Sequence, residues 1–309
     1  LFTVLSGVST GFGLFLLGMR FLTKGLRQIT SSRLKNTIKN LGFHPILGVL
    51  VGIIATALLQ SSSGTTIIVV GLVEAQLLTL HQAASIIMGA NIGTTVTAQL
   101  IAFHPNKYIF LPLLIGLILS FHKTNKNLLF WGETLLGFSL IFIGMDLLSK
   151  AISPLQHLIR FQEILLEFGK RPTLGVVIGF CTTAILQSSS TGVAILQSLA
   201  SNKLLPLSAA VAILLGQNIG TCVTTLLSSI HLSAVGKRAA FIHLLFNVLG
   251  VLMVFPFMEI LCAISQIMAP ANAARQIAHA HSLFNIFSTI IFIPFISIFV
   301  KLSNKIIKE

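Results

Sequence analysis

The chain has 309 residues, is 54% hydrophobic and only 9% charged, and its mean hydropathy is +0.95. A water-soluble domain carries about 25% charged residues, so this composition excludes one and makes the chain an integral membrane protein. Lys and Arg outnumber Asp and Glu by 20 to seven, a formal net charge of +13; in a membrane protein such an excess sets topology and meets anionic lipid, and the basic–aromatic interleaving of a nucleic-acid groove is absent.

A helical crossing needs roughly 20 mainly apolar residues. The first run, 3–23, ends in Arg20 and Lys24 and lacks a small-residue cleavage site, so it reads as a retained helix and not a signal peptide. The basic stretch 24–44 is too polar to cross and is expected at the interface. Next come two arms, Pro45 to Gln60 and Gly64 to Leu78, separated by serines. Each arm has about fifteen residues, roughly 23 Å of helix, short of the roughly 30 Å hydrocarbon core. Serines compete for backbone hydrogen bonds, so this segment is predicted to be a re-entrant hairpin with its tip at the serines. Runs 80–103, 128–149, 207–230, 239–263 and 277–300 are long enough to cross, and 107–121 is expected to cross with its flanks. Alternation of period two is missing, which argues against a membrane β-barrel.

The chain repeats itself. "PILGVLVGIIATALLQSSS" (45–63) matches "PTLGVVIGFCTTAILQSSS" (172–190) at 12 of 19 positions, at an offset of 127. The same offset aligns "GANIGTTVT" (89–97) with "GQNIGTCVT" (216–224), and "LLGMRFLTKGL" (16–26) resembles "FIGMDLLSKAI" (142–152). The expected organisation is a first repeat over 1–123, a second over 124–257, and a C-terminal transmembrane helix and tail over 258–309. Three crossings per repeat is an odd number, so consecutive copies must be inverted, an arrangement known among transporters with broken helices at the midplane. The predicted fold is thus an all-α membrane protein of two inverted repeats, each with a re-entrant helical hairpin, plus an extra C-terminal transmembrane helix. Placing 24–44 in the cytoplasm puts 13 Lys and Arg inside, among them Lys24, Arg27, Arg33, Lys35, Lys39 and Lys123. Seven stay outside, including Lys107, Arg160 and Lys170, which sets the N-terminus outside and the C-terminus inside.

Backbone exposed at a hairpin tip survives in a membrane only when buried in protein or lining a polar cavity. The second arm starts at the serines, so the N–H groups near Ser63, Gly64 and Thr65 are expected to be free helix-start donors for an anion. Ser61, Ser62 and Ser63 add hydroxyls, and Ser188, Ser189, Ser190 and Thr191 repeat the set. The Gln60 and Gln187 amides, with the carbonyls ending the first arm, suit a hard cation such as sodium. Asn91, Thr94, Thr97, Asn218, Thr221 and Thr224 add neutral oxygens at helical spacing, and the glycines of each NIGT stretch permit a break or a close approach. The acids avoid both QSSS stretches, against the habit of proton or cation-substrate pumps.

Other features have plainer readings. Gly48/Gly52 and Gly175/Gly179 are small-residue packing pairs. Cys181, Cys222 and Cys262 match no metal or redox spacing and read as small core residues. "HLLFN" (243–247) and "HSLFN" (281–285) place His and Asn on one helix face, for interhelical hydrogen bonding or for a gate beside the hairpins. Lys237 and Arg238 read as topogenic.

With "LLQSSSGTT" and "ANIGTTVT" repeated as "ILQSSSTGV" and "QNIGTCVT", nearly the whole chain resembles the bacterial branch of the type II sodium–phosphate cotransporter family. The resemblance implies sodium-coupled transport of inorganic phosphate, with both QSSS regions in the substrate and ion sites. Carried over by motif, Gln60, Ser61, Ser62, Ser63, Asn91 and Thr94 belong to one half, and Gln187, Ser188, Ser189, Ser190, Asn218 and Thr221 to the other. Joined to the reading of the residues above, the expected phosphate site is Ser61, Ser62, Ser63, Gly64, Thr65, Ser188, Ser189, Ser190 and Thr191, and the expected sodium site is Gln60, Asn91, Thr94, Thr97, Gln187, Asn218, Thr221 and Thr224. Thr191 stands where the first half has Gly64, so the two tips need not be equivalent. Some bacterial relatives carry a PhoU-like cytoplasmic tail, and this sequence stops at Glu309; the long extracellular loop of animal members is missing. Expected partners are phosphate, sodium and the bilayer of the plasma (inner) membrane, with no nucleic acid, no cofactor beyond the coupling sodium ions, and a homodimer left open. Physics alone also admits another oxyanion such as sulfate, an exporter, or a phosphate sensor that does not transport. An intramembrane serine hydrolase fits poorly, because the serines are duplicated and no triad spacing is visible.

Overall fold

A computed structural model describes residues 2–39, 44–103, 109–122, 124–154 and 171–308, which form helices and turns with no strand among them. In chain order these are α1 (Phe2–Lys39), α2 (Pro45–Leu59), α3 (Ser62–Glu74), α4 (Leu80–Ala102), α5 (Phe110–Ser120) and α6 (Lys126–Ile152). They continue as α7 (Pro172–Leu186), α8 (Ser189–Ser201), α9 (Leu207–Ser229), α10 (Ala234–Val254), α11 (Met258–Met268), α12 (Ala273–Phe292) and α13 (Ile296–Ile306). Six spans among the described residues are long and apolar enough to cross a membrane: Thr3–Leu26, Leu80–Ala102, Lys126–Ile152, Leu207–Ser229, Ala234–Met268 and Ala273–Ile306. The protein is an all-α, multi-pass membrane protein.

Several expectations shift. The stretch 24–44 does not leave the first helix at residue 24: α1 runs unbroken to Lys39. Nothing in "LTKGLRQITSSRLKNTIK" forces a stop, since Gly25 is spent on close approach to Thr134 and not on a turn. Helix α5 has 11 residues, roughly 16 Å, and is not among the six spans. Lys107, Lys123, Arg160 and Lys170 lie outside the described residues, as do the side chains of Arg27, Arg33, Lys35 and Lys39. Cys222 and Cys262 are buried as expected, but Cys181 is exposed on the outer face of α7.

Helices α1 and α6 pack backbone to backbone. A Cβ at Gly11 would sit 2.6 Å from Leu148 N and 2.8 Å from Gly144 O, and one at Gly137 would sit 2.2 Å from Leu22 N and 2.6 Å from Gly18 O. Gly18 and Gly144 repeat the exchange with Ile141 N and Phe15 N. Rising numbers in α1 meet falling numbers in α6, so the helices run antiparallel. Each contact maps onto its partner contact at an offset of 126, which makes the interface self-complementary in the manner of a two-fold axis. Small residues are what let two membrane helices come this close. Gly137→Leu is therefore expected to cost more than the about 1–3 kcal/mol typical of overpacking, because backbone and not a side chain must move; thermal unfolding in detergent reads it.

The same pair buries a charge that the sequence reading passed over. Glu133 is 6% exposed and receives a hydrogen bond from Lys24 Nζ at 2.5 Å. A buried carboxylate is thus present within an apolar span, but it is ion-paired and held between α1 and α6.

Helices α2 and α4 run side by side in the same direction. Gly48 meets Ser85, Gly52 meets Ile86 and Ala90, and Gly93 meets Thr56. Helices α7 and α9 repeat this register through Gly175 and Ala212, Gly179 and Gln217, and Gly220 and Thr183. The glycine pairs are packing positions, and the NIGT glycines serve close approach, since α4 and α9 continue through them without a break. Each short helix also crosses to the other half: α3 packs on α9, and α8 on α4. Gln197 of α8 donates to Ala98 O of α4 at 3.0 Å.

The C-terminal third has its own duplication. α10 and α12 are each followed by a 3₁₀ turn, Phe255–Phe257 and Ile293–Phe295, centred on Pro256 and Pro294, and then by a short helix. Proline lacks the N–H that would continue the helix. Residue 258 falls inside the span Ala234–Met268, directly after the first of these turns. At the surface, Ser233 donates to Glu74 through its N–H (3.0 Å) and hydroxyl (2.7 Å), tying the end of α3 to the start of α10. Those bonds hold the Glu74 carboxyl below its ordinary value. Arg238 donates from Nε to Ile307 O at 3.0 Å, so it also fastens the C-terminal helix.

Candidate functional site

The two QSSS stretches adopt one backbone shape. α2 ends in Gln60 at φ 51°, ψ 30°, and α7 ends in Gln187 at φ 52°, ψ 27°. Residues other than glycine rarely adopt this left-handed conformation, and here it recurs at the same position of both QSSS stretches. The next residue, Ser61 or Ser188, is the N-cap of the following helix. Ser61 Oγ accepts from Gly64 N at 3.0 Å, and Ser188 Oγ accepts from Thr191 N at 3.3 Å. The break is therefore two residues long, at Gln and the first Ser, and the next helix begins at the second Ser.

This moves the free donors. Gly64 N–H is taken by the Ser61 cap and Thr65 N–H by Ser61 O at 3.0 Å. The first-turn amides left without a partner in the helix are those of Ser62 and Ser63, and by the same geometry those of Ser189 and Ser190. Ser62 is buried, and Ser63, Ser189 and Ser190 are half-buried. Thr65 accepts from Thr56 Oγ1 and donates to Ser61 O, both at 3.0 Å. Thr191 Oγ1 lies 2.8 Å from Ser188 Oγ.

The NIGT asparagines sit mid-helix in α4 and α9, roughly 16 Å from either helix end at 1.5 Å per residue. Each is held by an asparagine from the His–Asn stretches. Asn247 Nδ2 donates to His243 O at 2.9 Å. A carbonyl can only accept, so this bond fixes the Asn247 amide with Oδ1 toward Asn91, whose Nδ2 donates to it at 2.8 Å. Asn91 Oδ1 is left with no bond among the described residues. In the second half Asn218 Nδ2 donates to Leu214 O at 2.9 Å, and its Oδ1 accepts from Asn285 Nδ2 at 3.3 Å. Asn91 thus presents a free carbonyl oxygen, while that of Asn218 is engaged. His243 Nδ1 lies 3.2 Å from Thr225 Oγ1. The His–Asn stretches do make interhelical hydrogen bonds, and they make them to the NIGT asparagines.

The tips differ in side-chain state. Gln60 is buried: its Nε2 donates to Ala57 O at 2.6 Å and its Oε1 accepts from Thr97 Oγ1 at 2.9 Å. Gln187 is exposed, and Thr224, the counterpart of Thr97, has a buried Oγ1 without a partner. Thr94 and Thr221 donate back to their own helices, to Ala90 O at 3.2 Å and Gln217 O at 3.0 Å. Among the described residues no group of three or more His, Cys, Asp or Glu is placed to hold a metal ion. Site oxygens come from amides, hydroxyls and backbone, and such a set suits hard monovalent cations and oxyanions.

Gln217 and Thr183 lie in the same region but did not stand out in the sequence. Gln217 departs from the repeat, aligning with Ala90, while Thr183 keeps the threonine of Thr56 and Gly192 replaces Thr65.

Comparison with known proteins matches residues 14–150 and 155–271 to the family described as Na+/Pi-cotransporter. The chain is 34% identical over 265 residues to the uncharacterized protein YqeW of Bacillus subtilis, covering 86% of each. It is 26% identical over 244 residues to the putative inorganic phosphate export protein YjbB of Escherichia coli, covering 79% of this chain and 45% of that one. A 59-residue segment is 51% identical to human sodium-dependent phosphate transport protein 2B, 9% of that protein's length. No solved structure matches.

Proposed function

Because the chain belongs to the Na+/Pi-cotransporter family, we propose that it is a sodium-coupled secondary transporter of inorganic phosphate, and not an enzyme. The observation that carries this reading is the duplicated tip: a left-handed glutamine, a serine cap and two free helix-start amides. The amides and hydroxyls of Ser62, Ser63, Ser189 and Ser190 bind phosphate, with Ser61, Gly64, Thr65, Ser188 and Thr191 shaping the caps. Gln60, Gln187, Asn91, Asn218, Thr94, Thr97, Thr221 and Thr224 supply oxygens for sodium.

We read residues 1–123 and 124–257 as inverted repeats with 258–309 outside them. The antiparallel, self-complementary contact of α1 and α6 supports inversion. Two facts support re-entrant hairpins. The first tip comes level with Thr97, five residues short of the end of α4. The five-residue link from Glu74 to Leu80 brings α3 back to the start of α4, where α2 also begins. Inward and outward access then alternate as the two tips exchange states. The protein works in the plasma (inner) membrane, as a monomer or a homodimer.

The relatives named as phosphate exporters favour a second reading, in which net flux runs outward. One experiment tests the coupling and the substrate common to both readings. Purified protein in proteoliposomes is expected to move labelled phosphate down an imposed sodium gradient in either direction, with little flux in potassium or choline. Flux driven equally well by a pH gradient without sodium would refute the coupling, and sulfate competing as well as phosphate would refute the substrate.

A further inference from the structure

The corner of the bundle where α4 ends and α12 begins is built from polar side chains. Arg275, His279 and Ser282 share one face of α12 by their spacing, roughly 3–14 Å from the start of the helix. Ser282 Oγ donates its one proton to Ala278 O at 3.0 Å, so it can only accept from Gln99 Nε2 of α4 at 2.9 Å. That fixes the Gln99 amide, whose Nε2 also lies 3.4 Å from His279 Nδ1. A ring nitrogen that meets a donor is the acceptor, so the neutral imidazole carries its proton on Nε2, away from Gln99. Gln197 of α8 is fully buried and donates to Ala98 O at 3.0 Å and Ala274 O at 3.3 Å. Those residues adjoin Gln99 and Arg275, so Gln197 holds the two helices in register.

The equivalent corner at the other end of the molecule is apolar. At the offset of 127, Gln99 becomes Leu226 and Gln197 becomes Val70; at the offset of 38 that relates "HLLFN" to "HSLFN", His279 becomes Phe241 and Ser282 becomes Leu244. Only the terminal cation is kept, as Lys237 in place of Arg275. The polar set is therefore not a demand of the fold. The Arg275 guanidinium lies over the Phe103 ring, 5.9 Å from its centroid, and has no hydrogen bond or ion pair among the described residues. Ile286 and Ile290 continue the same face of α12, Val96 and Phe103 flank Gln99 on α4, and all four are exposed, so this surface meets lipid. The groups left unspent on it, a guanidinium and an imidazole N–H one turn apart, are both donors. They suit an oxyanion and not a cation, and on a lipid-facing seam near a helix end that oxyanion is a headgroup phosphate.

We propose that the seam between α4 and α12 binds the phosphate of an anionic phospholipid, with Arg275 and His279 as its ligands and Gln99, Ser282 and Gln197 as positioning residues. Arg275 meets two phosphate oxygens through its planar fork, and His279 Nε2–H donates to the same group. Gln99 keeps the imidazole proton on the outward nitrogen, which is why a glutamine stands where the other half has leucine. The lipid's acyl chains lie along Ile286 and Ile290. The site is separate from both QSSS tips, so it stands apart from the sodium-coupled reading.

The test titrates the purified, detergent-solubilised full chain with phosphatidylglycerol, with phosphatidylcholine and with inorganic phosphate alone, and reads binding from thermal unfolding. Wild type is expected to be stabilised by phosphatidylglycerol at lower concentration than by phosphatidylcholine. Arg275→Gln is expected to need about ten- to a hundredfold more phosphatidylglycerol for the same stabilisation, the loss of a charged donor to an anion. Gln99→Leu copies the apolar corner and leaves Arg275 in place; it should need about two- to tenfold more, because the imidazole loses its orientation. Lys237→Gln removes the cation of the apolar corner and should bind as wild type does. Because each variant is compared with itself in detergent alone, a general loss of stability cancels. No preference for phosphatidylglycerol in wild type, or an unchanged titration in Arg275→Gln, overturns the site. An equal loss in Lys237→Gln means diffuse attraction of anionic lipid to any terminal cation and overturns it too. Stabilisation by inorganic phosphate alone that Arg275→Gln abolishes assigns these donors to the free anion and overturns the lipid.

Discussion

Labelling a cysteine placed at position 187 is expected to abolish phosphate flux, and only when a membrane-impermeant maleimide is applied from one face. The exposed Cys181 must first be replaced by Ser, since it lies two turns away on the same helix. Gln187 is exposed in this state, whereas Gln60, its repeat equivalent, is 8% exposed and bonded to Thr97. If the halves are inverted, the tips open to opposite sides. A cysteine at 60 should then react slowly in this state, and from the other face. Alternating access means that one tip closes as the other opens, so conditions that speed labelling at 60 should slow it at 187. A reagent on the phosphate path stops transport by sheer volume, so full labelling should leave essentially no flux. Labelling of both positions from one face, or rates that rise and fall together, would refute the inverted arrangement.

How much of this was legible in the sequence depends on the residue. The repeat was plain, because identity at a fixed offset does not depend on packing. The tip was located within two residues but misplaced. Three consecutive serines drew the break toward themselves, when the left-handed residue is the glutamine and the second and third serines already belong to the next helix. The sequence could not show that Ser61 caps Gly64, so it assigned that amide to phosphate. It read α1 as ending at residue 23, because a run of basic residues resembles an interface, although a helix can leave the apolar zone without breaking. It treated the two NIGT asparagines as equivalent. Their difference lies in which atom faces Asn247 and which faces Asn285, and that is decided by the carbonyls of His243 and His281 on helices far away in the chain. Gln217 was hidden for a related reason: a glutamine inside a small-residue motif resembles helix–helix glue until the glycine opposite it is seen.

Asn247→Leu is expected to raise the sodium concentration for half-maximal phosphate uptake by about ten- to a hundredfold. Asn247 touches neither ion in this reading; it positions Asn91. Its Oδ1 receives the Asn91 amide N–H, and its own Nδ2 is pinned to His243 O. Without that acceptor the Asn91 donor is buried and unsatisfied, at a cost of about 1–3 kcal/mol. The amide then turns to find another acceptor, and its oxygen no longer faces the cation. Linkage is reciprocal, so weaker sodium binding also lowers apparent phosphate affinity at fixed sodium. Saturating sodium should restore it. Ser62→Ala is the contrast. It removes a hydroxyl donor to the anion while keeping the helix-start amides, so it lowers phosphate affinity in a way that sodium does not fully rescue. Asn285→Leu supplies the second contrast, because it releases the Asn218 oxygen instead of stranding a donor. Its sodium dependence should weaken less than that of Asn247→Leu. Phosphate uptake measured across a sodium series for the three variants decides the matter. If Asn247→Leu and Ser62→Ala respond alike to sodium, or if Asn285→Leu is the more damaging asparagine variant, the assignment of the cation to the free Asn91 oxygen is wrong.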